Sequence, residues 1–419
     1  MKPVPHVSAV PDPVLRWLMR AGLDSATADE VFAGVVERLR EAGVPVARAS
    51  LGHSTLHPLY HSEAMVWHEE TGLAHEFYEF SQGMVAGGVA QDAWRNSPLW
   101  EVVRTRRETL RRPLAGPDAV RDFPVLEEFG DAGYTDYFLT CMMFDSFFAP
   151  PAVDEDDSIP DASGMIASYL TRREGGFTPT EIALFHALLR PLAIVVKLAT
   201  QQSIARNIAE CYIGHEAGPR VLGGAIRLGD FASTEAVVWF CDMRGSTALA
   251  ASLGRAGFTA LINRFFDCTI GAVVETGGEP LTFMGDGALA VFPIAGLGHD
   301  GARRAAITAA AQAEVSLVRL NAERAAKAEA PVGWGIGLHA GEVDYGNIGI
   351  PSRHSWSVLG PVVNEAARLE GLTKTLGEPV LASAEFAEAL DPPWRPLGGH
   401  KLRGVEGQVD VFAPPIPTG

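Results

Sequence analysis

The sequence predicts a two-domain protein of mixed α/β class, and three observations support this fold class. The chain has 419 residues, which is long for one domain and sufficient for two. Apolar residues follow helical and strand-like spacing in two successive patterns. A Gly-rich stretch without clear periodicity lies between the patterns. We therefore expect an N-terminal domain over residues 1–200, a helical or Gly-rich coupling linker over 201–230 and a C-terminal domain over 231–419.

Composition is typical of a soluble globular protein, with 47% hydrophobic and 20% charged residues. The net charge of -17 argues against nonspecific binding to nucleic acid or an anionic membrane. No apolar run approaches the ~20 residues of a membrane helix, because the best one, LLRPLAIVVKLA, contains Arg190, Pro191 and Lys197. The N-terminus lacks the apolar core of a signal peptide. Four scattered cysteines form no CxxC pair, so we expect a cytoplasmic protein without a disulfide framework or a zinc site.

The N-terminal domain should begin with helices and continue with strands. Residues 1–45 are predicted to be helical, since DEVFAGVVERLREAG has apolar residues three and four apart. VPVARAS begins a change to short segments, AMVWHEETGLAHEFYEF resembles a hairpin around EETG, and YTDYFLTCMMF and GMIASYLTRR are typical of strands. The acidic stretch DEDDSIPD lacks the spaced ligands and glycine of a calcium loop, which favours a solvated loop.

A long helix should close this domain. Thr178, Pro179 and Glu181 form a helix start, with a capping hydroxyl, a first-turn proline and a capping-box acid. One apolar face follows, and it comprises Ile182, Phe185, Leu189 and Leu192. Pro191 should bend the helix or shift its register. The strands, this helix and the segment GGFTPTEI resemble a GAF-type sensor domain, which implies a regulatory domain that responds to a small ligand or signal of unknown identity.

Several histidines of the N-terminal domain could bind a metal or haem. They are His53, His57, His61, His68 and His75. His57 and His61 would share one face of a helix, but Pro58 and the strand-like surroundings argue against that arrangement. An ordinary polar surface is the favoured interpretation, and metal or haem binding is the alternative.

The C-terminal domain opens with VVWFCDMRGSTALA, a strand that runs into Asp242 and then a flexible turn. A carboxylate at a strand end, beside the free N–H groups of a helix N-terminus, can hold a metal and a phosphate. The alternative is an ordinary strand-to-helix turn in which Asp242 is a capping residue.

A second carboxylate occurs in PLTFMGDGALAVFP, where Gly-Asp-Gly between apolar stretches predicts a hairpin with Asp286 at its tip. Two aspartates on neighbouring strand ends can hold two divalent cations for phosphate chemistry. The segment GWGIGLHAGEVDYGNIG is predicted to be a second hairpin, with His339 as a hairpin residue rather than a catalyst.

The segment SWSVLGPVVNEAARLE then begins a helix in which Asn364 and Arg368 are four residues apart and share a face. An amide and a guanidinium there could orient a ribose and stabilise a phosphorane-like transition state. A surface cation and a helix-start amide are the structural alternatives for these two residues.

Taken in order, FCDMRGST, FMGDG, GLHAGEVDYGNIG and VLGPVVNEAARLE resemble the successive signatures of class III nucleotidyl cyclases, over roughly residues 225–413. The resemblance implies a ferredoxin-like βαββαβ core and a head-to-tail homodimer with composite sites that bind a nucleoside triphosphate and two divalent cations, Mg²⁺ or Mn²⁺. It assigns metal binding to Asp242 and Asp286, with the Met243 carbonyl as a further ligand. The implied phosphate cradle comprises Arg244, Gly245, Ser246 and Thr247. From the other subunit, Asn364 would hold the ribose and Arg368 the α-phosphate.

The resemblance is less complete at the positions expected to contact the base and the triphosphate of the nucleotide. Thr282 stands where adenylate cyclases usually have lysine, and Ser357 where they have aspartate or threonine; the Glu and Cys of guanylate cyclases are also missing. Lys401 and Arg403, in GGHKLRGVEG, are candidates for triphosphate contact. We expect ATP as the substrate and 3′,5′-cyclic AMP as the product, with GTP or a pyrimidine triphosphate as alternatives.

Two rival functions are compatible with parts of the sequence. A diguanylate cyclase would need a GG(D/E)EF turn, whereas GGEP at 277–280 lacks the acid pair. An inactive nucleotide-binding module would usually have lost one of the metal or transition-state residues, whereas this chain retains Asp242, Asp286, Asn364 and Arg368.

Overall fold

The computed structural model describes residues 12–55, 60–79, 93–144, 164–215, 217–229, 231–388, 390–391, 393–405 and 407–415. The chain divides into two compact units, Met1–Ile208 and Ala209–Gly419. The predicted acidic loop at DEDDSIPD lies outside the described residues, and so does His57.

The first unit contains a six-stranded sheet with helices before, between and after its strands. The helices are α1 (Asp12–Leu23), α2 (Ala28–Glu41), α3 (Pro98–Thr105), α4 (Pro124–Asp131) and α5 (Pro179–Ile213). The strands are β1 (Arg48–Ser54), β2 (Tyr60–His68), β3 (Gly72–Glu79), β4 (Thr109–Pro113), β5 (Asp136–Met143) and β6 (Gly164–Thr171). The sheet order is β3-β2-β1-β6-β5-β4, and every pair is antiparallel.

Helices cover both faces of this sheet. Alternation along β5 places Phe138 in one core and Tyr137 and Leu139 in another, since successive side chains of a strand point to opposite faces. The core around Phe138 also contains buried residues of α1, α2 and α5, and the other contains buried residues of α3 and α4. The predicted hairpin around EETG is formed by β2 and β3.

The long helix α5 begins as predicted. The Thr178 N–H donates to Glu181 Oε2 at 2.7 Å, and the Glu181 N–H donates to Thr178 Oγ1 at 3.3 Å, which is a capping box. The helix passes Pro191 without interruption and ends at Ile213. Residues 201–213, the first part of the expected helical or Gly-rich linker over 201–230, continue this helix, and their polar residues occupy mostly exposed positions.

His53, His61, His68 and His75 lie on strands of this sheet. His53 on β1 is buried; its Nδ1 lies 3.4 Å from Thr200 Oγ1, and its Nε2 lies 3.8 Å from Glu63 Oε2. His75 Nδ1 lies 3.1 Å from Glu63 Oε1. Within the described part of the chain, no group of three or more His, Cys, Asp or Glu side chains could hold a metal ion.

The second unit contains one large sheet. Its helices are α6 (Ala217–Leu222), α7 (Ser246–Glu275), α8 (Ile294–Leu297), α9 (His299–Ala326), α10 (Pro361–Leu376) and α11 (Ala384–Ala387). Its strands are β7 (Phe231–Arg244), β8 (Glu279–Met284), β9 (Gly287–Pro293), β10 (Gly333–Ile350), β11 (Arg353–Leu359), β12 (Val380–Ser383), β13 (Arg395–His400) and β14 (Val409–Ala413).

The sheet order is β13-β14-β12-β10-β7-β9-β8, and β11 pairs with β10. The four strands β10-β7-β9-β8 pair antiparallel, with α7 between β7 and β8 and α9 between β9 and β10 in the chain. This is the expected βαββαβ arrangement. Val237, Trp239 and Cys241 pack in one core with residues of α7 and α9, and Ala236 and Val238 pack on the other face with Ala366 of α10.

The second predicted hairpin is wrong. GWGIGLHAGEVDYGNIG forms one strand, β10, and the hairpin forms between the end of β10 and β11. Three of its glycines, Gly335, Gly337 and Gly341, lie under α10 rather than in a turn. His339 accordingly lies in the middle of a strand and is buried.

Two described helices, α5 and α7, are long and apolar enough to cross a membrane by length and composition. About half of the most apolar window of α5 and a third of that of α7 are buried inside the protein, and core helices of soluble proteins pass the same criterion. The expected lack of a membrane span therefore stays a prediction.

The four cysteines are free thiols in different environments. Burial raises the pKa of Cys141 and of Cys241 to about 11. Partial burial also raises the pKa of Cys268. Cys211, near the end of α5, is exposed.

Candidate active site

Two carboxylates meet where β7 ends beside the β8–β9 hairpin. Asp242 pairs with Gly287 in the sheet register, and the Met243 N–H donates to the backbone oxygen of Asp286 at 3.1 Å. Gly285 adopts a left-handed conformation (φ 66°), which forms the tip that presents Asp286. A side chain at Gly287 would place its Cβ 3.3 Å from Asp242 Oδ1, so glycine leaves room for that carboxylate.

The two carboxylates are close enough for the charge of Asp286 to shift the pKa of Asp242. Burial and, next, the charge of Asp286 raise the pKa of Asp242 to about 6, although a backbone hydrogen bond from Met243 opposes the rise. A like charge nearby disfavours ionisation, and a bound cation would relieve that repulsion.

These residues fit a divalent cation. Mg²⁺ is commonly held by one or two carboxylates together with phosphate oxygens of the substrate and water, rather than by a complete protein cage. That mode agrees with the pairing of Asp242 and Asp286.

The predicted phosphate turn follows directly. Gly245 is in a left-handed conformation (φ 72°) and precedes the first residue of α7, Ser246. The backbone N–H groups of Ser246 and Thr247 lie in the first helical turn, where they have no partner within the helix and favour an anion.

The Arg244 side chain, in contrast, contacts α10. Its Nη2 donates to Thr373 Oγ1 at 2.6 Å, and its buried Nε has no hydrogen-bond partner among the described residues. The Thr373 hydroxyl donates in turn to the backbone oxygen of Glu370.

Glu370 is a buried acid beside this contact. Burial and then the charge of Asp242 raise the pKa of the Glu370 carboxyl to about 7; Arg244 lowers it and Asp286 raises it further. Sequence reasoning missed Glu370 and Thr373. The signal available was their spacing, since both fall on the face of α10 opposite to Asn364.

Helix α10 lies directly on the backbone of β10. Gly335, Gly337, His339 and Gly341 alternate along the strand, so all four point to one face. A Cβ on Gly337 would lie 2.5 Å from the Glu370 nitrogen and closer still to the Ala366 carbonyl oxygen. A Cβ on Gly335 would overlap the Glu370 carboxylate and the Thr373 hydroxyl. The missing side chains thus allow the close approach.

His339, the fourth residue of that face, makes polar contacts with α10 and with the β12–α11 junction. Its Nε2 lies 3.2 Å from Glu365 Oε2, and its Nδ1 lies 2.6 Å from Ser383 Oγ. Burial lowers the pKa of His339, against the opposing charges of Glu365 and Glu385.

Asn364 and Arg368 are exposed on the outward face of α10, whereas Ala366, Leu369 and Thr373 are buried beneath it. The structure therefore does not direct Asn364 and Arg368 towards the carboxylates of the same chain.

The remaining predicted residues are spread over the sheet. Thr282 and Ser357 are half-buried on β8 and β11, next to Leu281 and Trp356, which pack against one common core. Lys401 and Arg403 are exposed after β13, which is separated from β7 by three intervening strands.

Comparison with known proteins agrees with this geometry. Residues 232–395 match the model of the adenylate and guanylate cyclase catalytic domain. An adenylate cyclase of Anabaena cylindrica is 31% identical over 190 residues, which are 44% of this chain and 36% of that protein. An uncharacterized protein of Mycobacterium tuberculosis is 30% identical over 259 residues, 60% of this chain and 46% of that protein. The chain thus spans less than half the length of these relatives.

Solved structures of similar proteins include two cyclases. The adenylyl cyclase CyaB from P. aeruginosa is 24% identical with a TM-score of 0.41, over 44% of this chain and 95% of that one. The guanylyl cyclase Cya2 is 24% identical with a TM-score of 0.39, over 43% and 92%.

The segment matched by that family model contains both the end of β7 and the β8–β9 hairpin, which carry the paired carboxylates. Residues 232–395 match an adenylate/guanylate cyclase catalytic domain, and this match supports nucleotide cyclisation as the activity of that domain.

Proposed function

We propose that the protein converts ATP to 3′,5′-cyclic AMP and pyrophosphate as a homodimer, under the control of its N-terminal unit. The observation that carries the proposal is the pair Asp242 and Asp286, held together at the end of β7 beside the first turn of α7. In the reaction the 3′-oxygen bonds to the α-phosphorus, the bond from that phosphorus to the bridging oxygen breaks, pyrophosphate leaves, and the hydroxyl proton passes to solvent.

The protein's own residues bind and orient the nucleotide. Backbone N–H groups of Ser246 and Thr247 face the phosphates at the start of α7. When bound, two Mg²⁺ or Mn²⁺ ions on Asp242 and Asp286, with the Met243 carbonyl, would neutralise phosphate charge and lower the pKa of the 3′-hydroxyl. Lys401 and Arg403 are further candidates for phosphate contact.

The outward position of Asn364 and Arg368 supports the proposed homodimer. Both are exposed on the face of α10 that turns away from its own sheet. In a head-to-tail dimer, the second subunit's Asn364 orients the ribose and its Arg368 stabilises charge on the α-phosphate. Two equivalent composite sites result from one kind of chain.

ATP is the proposed substrate because the Anabaena relative is named an adenylate cyclase. Thr282 and Ser357 supply hydroxyls that can donate to or accept from the base edge. GTP or a pyrimidine triphosphate is the alternative substrate.

The first unit is proposed to be a GAF-like regulatory domain that acts through α5, in a cytoplasmic protein. Its antiparallel sheet is covered by helices on both faces, and α5 continues from it across the boundary between the units. A truncated chain beginning near Leu222 should differ from the full-length protein in rate or dimerisation. Identical behaviour under all conditions would contradict this coupling.

The function is tested by incubating the purified protein separately with ATP, GTP, CTP and UTP and Mn²⁺ or Mg²⁺, and identifying each product by mass. We expect cyclic AMP from ATP, and loss of product in Asp242→Asn and Asp286→Asn because each removes a metal ligand. Asp300→Asn, on an exposed position of α9, is the matched control. Saturable nucleotide binding without pyrophosphate release would instead indicate an inactive binding module.

A further inference from the structure

Arg244 lies at the contact between the end of β7 and helix α10, the two elements that carry the predicted metal-binding and transition-state residues. It follows Asp242 by two residues on β7, so both side chains point to the face of the sheet that α10 covers. Its guanidinium donates to Thr373 Oγ1 at 2.6 Å, beside the buried Glu370 carboxyl. One guanidinium nitrogen, Nη2, therefore donates to α10, and a second nitrogen, Nε, is buried.

We propose that Arg244 is a positioning residue: through Thr373, beside Glu370, it fixes α10 relative to the strand end that carries Asp242. The inference rests on the proposed function, and it replaces the phosphate contact that the family resemblance assigns to Arg244. Gly245, Ser246 and Thr247 keep the phosphate-binding role.

The contact has a functional consequence because α10 has two faces. Its inward face carries Glu370 and Thr373, and its outward face carries Asn364 and Arg368. Arg368 precedes Thr373 by five residues, or about 7.5 Å along the helix axis. In the proposed dimer, Asp242 serves one site while Arg368 of the same chain serves the other. The Arg244–Thr373 contact consequently links the geometry of the two sites.

The close approach of α10 to β10 makes this link stiff. Gly335 and Gly337 allow the helix backbone to lie on the strand, so few side chains intervene that could absorb a shift. Packed interiors transmit displacement rather than damp it. Loss of one polar contact at the inward face should therefore move the outward face.

The test uses the full-length protein and removes each partner separately. Thr373→Val deletes the hydroxyl at nearly constant volume, Thr373→Ser retains it, and Arg244→Met removes the guanidinium. The matched control is Thr375→Val, because Thr375 lies on the same helix but is exposed. Turnover number, KM for the nucleotide and inhibition by pyrophosphate are measured for each single variant and for the Arg244→Met/Thr373→Val double variant.

A positioning role predicts that Thr373→Val and Arg244→Met each lower kcat about tenfold, while the nucleotide KM changes less than about twofold. The double variant should be no worse than either single variant, since both remove the same interaction. Thr373→Ser and Thr375→Val should behave as the wild-type protein. If Arg244→Met raised KM and weakened pyrophosphate inhibition while Thr373→Val had no effect, Arg244 would be a phosphate ligand and the inference would be overturned.

Hydrogen exchange of α10 separates this inference from the proposed function. Residues 361–376 should exchange faster in Thr373→Val and Arg244→Met without nucleotide, but not in Thr375→Val. Absence of any cyclic product from the wild-type protein would refute the proposed function, and the exchange data would still decide the inference. Unchanged exchange in both variants would overturn it.

Discussion

Gly337→Ala should displace α10 and slow catalysis more than it destabilises the fold. The new Cβ would lie 2.5 Å from the Glu370 nitrogen, whereas ordinary contact begins at 3.4 Å. The obstructing atoms belong to helix backbone, so no side-chain rotation removes the overlap. The helix must therefore move away from β10 by roughly 1 Å.

Two magnitudes follow from that displacement. Overpacking of a buried site costs about 1–3 kcal/mol in the free energy of unfolding, which corresponds to a loss of roughly 2–12 °C in Tm for a unit of this size. A shift of about 1 Å in groups that orient a substrate can cost about 100-fold in rate. Because Asn364 and Arg368 travel with α10, kcat should fall by that order.

The assay compares kcat and Tm of Gly337→Ala with those of Gly271→Ala. Gly271 lies within α7, where a Cβ would meet only Asp267 Oδ1, at 3.7 Å. That control should keep wild-type kcat and gain about 0.5–1 kcal/mol from helix propensity. Wild-type kcat and Tm in Gly337→Ala, with the control behaving as described, would refute the idea that the close approach is required.

Four further predictions concern the site. Mixing inactive Asp242→Ala with inactive Arg368→Ala should restore about a quarter of wild-type activity, since half of the dimers would hold one intact site. An inactive mixture in which heterodimers are shown to form would contradict the composite site. Calorimetry should show Mn²⁺ affinity falling roughly tenfold per unit as pH drops below the pKa of Asp242, raised to about 6, because only the ionised carboxyl binds metal. By the same raised pKa, the metal-free protein should gain stability as pH falls from about 6 towards the ordinary value of the carboxyl, since the folded state then binds more protons than the unfolded state. Thr282→Lys should increase the preference for ATP over the other nucleotides if that position touches the base; an unchanged product profile would exclude the contact.

Local sequence signals predicted the elements that depend on local physics. The capping box at Thr178 and Glu181 and the hairpin tip at Asp286 require only neighbouring residues, and both are present. The prediction of a hairpin at 333–349 is wrong because glycine is common in turns as well as under close-packed helices. The alternation of Gly335, Gly337 and Gly341 is explained by the packing of α10 on β10. That packing is tertiary structure, which the local sequence does not reveal.

The residues of the candidate site likewise fall into those that the sequence predicts and those that depend on tertiary packing. Asp242 and Asp286 could be found because each follows or joins an apolar strand, and their pairing follows from the sheet. The contact of Arg244 with Thr373 joins residues 129 positions apart, and no spacing rule links them. The burial of Glu370 likewise depends on which face of α10 meets the sheet.

The uneven exposure of the four cysteines offers a route to spectroscopy on the unaltered chain. Thiolates react with maleimides and methanethiosulfonates, so the raised pKa values and burial of Cys141 and Cys241 protect them. Partially buried Cys268 should react slowly, which leaves Cys211 as the preferred point of attachment. A nitroxide placed there would mark the last turn of α5 without mutagenesis. In a symmetric dimer, one such label per subunit would give a single electron–electron distance, recorded with and without nucleotide.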